Sequence, residues 1–194
     1  MDDTTNLNPP PVINELAKTA TILNFTLSSD QLTGSLLRTL AASKPGGELL
    51  ELGTGVGMGT AWLLAGMGAA AHLTTVDRNE ETTTIVRRFL AADSRVTFQL
   101  MDAIAFIHSC HEQKRMFDLI FADSVPGKFA ALEETLALLK QGGLYVIDDL
   151  NPQPGWSADH PPKVEHLLSV LEGRADLSIT KFNWSVGLLV AAKR

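Results

Sequence analysis

Six acidic residues, Glu51, Asp77, Asp102, Asp123, Asp148 and Asp149, each stand in or just after a short apolar run. Around the first of them, in LLELGTGVGMGTAWLL, Gly53, Gly55, Gly57 and Gly59 occupy alternate positions. That spacing bares a loop, so a ligand can approach its backbone closely. The dinucleotide fingerprint G-x-G-x-x-G fails in both registers, because Met58 or Thr60 stands where the third glycine belongs. A Walker A loop needs Gly-Lys-Ser/Thr, and no lysine is present here. The pattern that fits is E-x-G-x-G-x-G over Glu51, Gly53, Gly55 and Gly57, with Thr54 inside it. A carboxylate two residues before the first glycine opposes a pyrophosphate. It suits a ligand carrying an ammonium and a sulfonium.

The other carboxylates extend this reading. Asp77, followed by Arg78 in VDRNE, can accept hydrogen bonds from both ribose hydroxyls, a device that NAD enzymes share, and it can also cap a helix. Asp102 can face an adenine amino group, with Met101 and Ala103 as apolar walls, and can equally cap the helix that follows. Asp123 in FADSVPGKF and the Asp148–Asp149 pair in VIDDLNPQPGW would meet at one rim. Three carboxylates together are either well solvated or hold a cation, and hard oxygen ligands suit Mg²⁺ or Ca²⁺. The other reading is that Asp123 serves the nucleotide site while Asp148 and Asp149 begin a loop.

Elements must bring these residues to one place. Strand-like runs ELLEL, HLTTV, RVTFQL, FDLIFA and GGLYVID alternate with helical segments near Thr60–Met67, after Asn79, in DAIAFIHSCHE, in PGKFAALEETLALL and in PKVEHLLSVLE. Two helices precede them, one over Val12–Leu23 and one capped by Ser28 or Ser29. DLSITKF and SVGLLVAAK read as a closing strand pair. Such alternation predicts a doubly wound, Rossmann-like α/β fold with helices on both faces of a parallel sheet. Ligands of such folds bind beyond the carboxyl ends of the strands, where the six acids lie.

The chain has 194 residues, 45% hydrophobic and 20% charged, which bounds it to one globular domain. Residues 1–11, with three consecutive prolines, read as a flexible arm before a single domain over 12–194. A net charge of −6 without any basic run argues against nucleic acid and for a small-molecule partner. No apolar stretch is long enough for a membrane span, and MDDTTNLNPPP lacks a signal-like core. With a single cysteine, Cys110, no internal disulfide can form, and the expectation is a reducing, cytoplasmic setting. Cys110 itself has no paired base in view and reads as a spectator.

With these motifs in place, the chain resembles the class I S-adenosylmethionine-dependent methyltransferases. More narrowly it is similar to the cation-dependent O-methyltransferases of the catechol and caffeoyl-CoA type. LLELGTGVGMGTAWL, LTTVDRNEE, VTFQLMDA, FDLIFADS and GGLYVIDD carry the resemblance, in order, from Leu49 to Asp149. It implies a seven-stranded sheet with an antiparallel C-terminal strand. It implies that Glu51, Gly53 and Gly57 line the methionine part of S-adenosylmethionine, with Thr54, Gly55 and Arg78 close by. Asp77 would hold the ribose, Asp102 and Ala103 would border the adenine, and Asp123 would begin the catalytic rim. Asp123, Asp148 and Asp149 would hold Mg²⁺ or another divalent cation that orients a hydroxylated acceptor. Homodimers are common in the family, and the resemblance extends that expectation to this chain.

Two departures stand out. Asp149 replaces the family's asparagine, which adds negative charge. Pro126 stands where the family has a lysine base. Lys128, two residues on, either is re-aimed into the site by the Pro-Gly turn as the general base or projects into solvent from a helix. In NPQPGWSADHPP, Trp156 either lids the acceptor or covers core, and His160 is either a base or simply exposed. A binding protein without turnover and an NAD(P)-dependent oxidoreductase are the rival readings.

Overall fold

A computed structural model of the chain describes residues 2–153 and 156–194. Two helices, α1 (Ile13–Ile22) and α2 (Gln31–Ala42), precede five alternations of strand and helix. These are β1 (Glu48–Leu52), α3 (Met58–Gly66), β2 (His72–Asp77), α4 (Glu80–Leu90), β3 (Val96–Leu100), α5 (Ala103–Glu112), β4 (Phe117–Ala122), α6 (Leu132–Ala137), β5 (Leu139–Ile147) and α7 (His160–Glu172). The hairpin β6 (Leu177–Phe182) and β7 (Leu188–Lys193) follows. The sheet order is β3-β2-β1-β4-β5-β7-β6. The first five strands run parallel, and β7 enters antiparallel between β5 and β6. The Rossmann-like expectation and its antiparallel late strand are therefore met.

Strand alternation divides the core in two. Leu50, Leu52, Ile120 and Ile147 point to the α5 and α7 side, where they meet Phe106, Ile107, Leu167 and Leu171. Leu49, Leu73, Leu119 and Phe121 point to the other side, against Leu16, Leu37, Trp62 and Val86. Each such side chain removed from water contributes about 1.5–3 kcal/mol. On the second side α2 and α3 touch closely. Gly34 faces the indole of Trp62, which a Cβ would strike, and the Arg38 guanidinium lies 5.0 Å from that ring's centroid.

Several boundaries differ from the sequence expectation. The α2 cap is Asp30, whose carboxylate accepts from the Leu32 and Thr33 amides at 2.7 and 2.9 Å, so Ser28 and Ser29 are left for other work. The segment expected as one helix from Pro126 to Leu139 is helical only over α6. Gly127 takes φ 86° and Ala131 φ 53°, which turn the chain twice before a helix can start. Tyr145 fastens this turn by donating its hydroxyl to the Gly127 carbonyl at 2.5 Å. The segment expected as an arm makes contacts: Leu7 packs on the second core, Trp184 donates to Asp3, and Arg38 donates to the Asn8 carbonyl.

Candidate active site

A cleft of about 710 Å³ opens beyond the carboxyl ends of β1, β2, β4 and β5. Its floor is the loop after β1, where Gly53, Thr54 and Gly55 line the cavity. Gly53 takes φ 105°, and a Cβ there would strike the carbonyl of Asp123, so this turn demands glycine. Its amide bonds Val76 O at 2.9 Å, while the Asp123 amide bonds Leu52 O at 3.0 Å, which knits the ends of β2, β1 and β4 together. Asp77 stands across from the loop. Its Oδ2 accepts from the Gly55 amide at 2.8 Å and its Oδ1 from the Asn79 amide at 2.9 Å. Each oxygen keeps a further lone pair toward the cleft, which Arg78 also lines.

Four expected cofactor residues lie outside the walls of the cleft. Glu51 is buried below the loop, 1% exposed, where Oε2 accepts from the hydroxyls of Thr60 and Thr75, both at 2.5 Å. Burial pushes its carboxyl up to about 8 against the pull of those two bonds. It supports α3 from beneath through these two bonds. Gly57 is the N-cap of α3. Asp102 caps α5 through the Ile104 and Ala105 amides, and Ala103 is buried in the first core.

At the other end of the same cleft lies the acidic rim. Oxygens of Asp123, Asp148 and Asp149 all fall within 4.8 Å of one another, the convergence a hard divalent ion needs. A different cation is already built in. Lys128 is not a solvent lysine: it is 4% exposed, and its Nζ lies 3.2 Å from Asp148 Oδ1 and 3.1 Å from the Asp148 carbonyl. Asp148, 1% exposed, lies behind it, so Asp123, Lys128 and Asp149 form the cleft wall. A divalent ion within about 4 Å of that ammonium would meet repulsion on the order of 8 kcal/mol at an effective dielectric of about 20, which offsets the attraction of about one ionised carboxylate at the same range. Mg²⁺ also demands near-octahedral geometry with several retained waters. The donor set, with one member already bonded to a buried ammonium, does not suit a resident divalent ion.

Protonation follows from this arrangement. Burial, reinforced by Asp148, raises Asp123 well above the usual carboxylate range, despite Lys128 and the Ser29 hydroxyl bonded to its Oδ2 at 3.0 Å. Burial and Asp148 likewise push Asp149 up to about 6. Burial alone would lower Lys128, but Asp148, Asp123 and Asp149 together hold it above an ordinary lysine. Lys128 is therefore an ammonium at neutral pH and a poor general base.

Aromatic groups close the far wall. His160 begins α7, with its ring 4.3 Å from Trp156 and 5.9 Å from Phe129 between centroids. All three line the cleft. Pro154 and Gly155, within the expected lid loop, lie outside the described residues. Sequence reasoning missed the segment between α1 and α2, which brings Phe25, Leu27, Ser28 and Ser29 to the cleft. Ser28 Oγ is buried there without a hydrogen-bond partner among the described residues. The serine pair was the available signal, read only as a helix cap. Cys110 is buried in the first core, far from this chemistry in role.

Comparison with known proteins converges on one group. The family described as "Methyltransferase domain" matches residues 50–150. A curated Mycobacterium tuberculosis protein named "Probable O-methyltransferase" is 32% identical over 119 residues, covering 59% of this chain and 52% of its own length. The chain thus spans about half the length of the curated relatives it matches. Among solved structures, the O-methyltransferase from Bacillus cereus in complex with SAH superposes with a TM-score of 0.85 at 18% identity, covering 98% of this chain and 94% of that one. The O-methyltransferase TomG from Streptomyces achromogenes, in complex with SAM, gives 0.84 at 19% identity, covering 98% and 93%. At these identities the superpositions speak for the fold.

Proposed function

The chain belongs to the methyltransferase-domain family, and on that premise we propose that it binds S-adenosylmethionine and transfers its methyl group to the oxygen of a small hydroxylated acceptor. The observation that carries this is the continuity of one cleft. The Gly53–Gly55 loop and Asp77 stand at one end, and Asp123, Lys128 and Asp149 at the other. Cofactor and acceptor thereby share a cavity, as direct displacement requires. SAM and SAH in the related structures support the cofactor assignment.

In this reading Asp77 accepts from the ribose hydroxyls, and the amides of the Gly53–Gly55 loop approach the methionine portion. Ser28 Oγ gains the partner it lacks. Phe129, Trp156 and His160 favour a flat, aromatic acceptor. The acceptor oxygen attacks the methyl carbon, the C–O bond forms as the C–S bond breaks, and sulfur keeps the electron pair as a neutral thioether. The hydroxyl proton passes to Asp149, the cleft-facing carboxylate at the place of the family's asparagine, and on to solvent. The divalent cation implied by the resemblance has no step here.

Isothermal titration with SAM, SAH and NAD tests the assignment. SAM and SAH should bind, and Asp77→Ala should weaken both by about tenfold or more, as loss of two charge-assisted hydrogen bonds requires. Binding of NAD alone would overturn the reading. The Pro126 in place of a lysine favours one other reading, a cofactor-binding protein without turnover. SAH binding with no methyl transfer to any phenol would select it.

A further inference from the structure

We propose that the ammonium of Lys128 takes the place of the divalent cation, so that this chain carries its own cation at the acceptor end of the cleft. The inference rests on the methyl-transfer reading above.

Three observations support it. First, Lys128 is in contact with the acidic cluster and lines the cleft, whereas Asp148 lies behind it. Second, an ammonium has three donors, and two of them go to Asp148, one to Oδ1 and one to the carbonyl. The third has no partner among the described residues and is available to an acceptor oxygen. Third, the lysine is held in place. The Pro126–Gly127 turn aims it inward, and the buried Tyr145 hydroxyl holds that turn through the Gly127 carbonyl. The extra carboxylate at Asp149 fits the same logic. Asp148 and Lys128 neutralise each other as a pair, which leaves Asp149 to face the cleft.

During methyl transfer Lys128 makes and breaks no covalent bond and keeps its proton. Its charge faces the oxygen that loses a proton, the task a metal would perform by coordination.

The test is Mn²⁺ binding followed by electron paramagnetic resonance, with and without SAH, on the wild type and Lys128→Met. The wild type should leave micromolar Mn²⁺ in its free form. Lys128→Met, which frees three carboxylates from the competing ammonium, should bind Mn²⁺ about tenfold more tightly or better. Lys128→Gln, which keeps a donor for Asp148, serves if the methionine variant does not fold, and the wild-type titration is decisive by itself. Stoichiometric micromolar Mn²⁺ binding by the wild type would overturn the proposal, as would unchanged affinity in the folded variants. SAH binding measured in the same samples separates the two claims. If SAH binds and the wild type holds Mn²⁺, only the built-in cation fails; if SAH does not bind, the methyl-transfer reading fails.

Discussion

Glu51 shows how a residue's role depends on which side of a strand it occupies. The motif suggests a carboxylate facing a cationic ligand. In β1, Glu51 shares a face with Leu49, and that face packs under α3, so its oxygens meet Thr60 and Thr75. Period-two alternation along ELLEL carries this placement, since it puts Glu51 on the face of Leu49. The consequence is measurable. The carboxyl rises from an ordinary 4.5 to about 8 on folding, so between those values the folded state binds more protons than the unfolded state. Stability from this group is full below 4.5 and falls with a slope of up to about 1.4 kcal/mol per pH unit until about pH 8. Glu51→Gln cannot ionise, so its melting temperature should vary less over that window. Parallel pH dependence in the two proteins, followed by calorimetry, would contradict this. Gly53, Gly55 and Asp77 were legible because backbone spacing alone places them. Lys128 was legible only as one of two alternatives, because the choice between cleft and solvent depends on contacts with Asp148 and on the turn that Tyr145 holds.

At the scale of elements, the glycines and caps decide where helices can sit. Gly34 is in the interior of α2, where alanine would favour the helix by about 1 kcal/mol. The Trp62 indole occupies the space a Cβ needs, and overpacking a rigid ring costs about 1–3 kcal/mol. Gly34→Ala should therefore destabilise the protein by up to about 2 kcal/mol net in urea unfolding. A stabilised variant would show that α2 can move away from α3 freely. Tyr145→Phe should cost about 1–3 kcal/mol, because it leaves the Gly127 carbonyl without its buried donor. If the turn is what aims Lys128, the same variant should also raise Mn²⁺ affinity. The strand–helix alternation was readable from apolar runs and breakers. The turn from Ser124 to Ala131 was not, because apolar residues at helical spacing, Phe129 and Leu132, disguise two positive-φ bends.

Across the whole molecule, the two core layers are joined by a sheet whose centre is β1 and β4. Amides in these strands are covered on both faces and should exchange with deuterium only on global unfolding, whereas β6, paired on one edge only, should exchange faster. Uniform protection across the sheet would refute that ranking. The family and the mostly parallel sheet were legible because they depend on distributed pattern, while the charge arrangement at the rim depends on a few side-chain contacts. The placement of β7 has a kinetic side. The β6–β7 hairpin is local, with Phe182 opposite Leu188, and hairpins form in about 1–10 μs. Pairing β7 with β5 joins Leu144 to Ala192, and non-local contacts of that kind close slowly. The hairpin should thus dock as a finished unit onto a preassembled five-stranded sheet. Until it does, the open edge of β5 is the surface through which a refolding population would associate and aggregate.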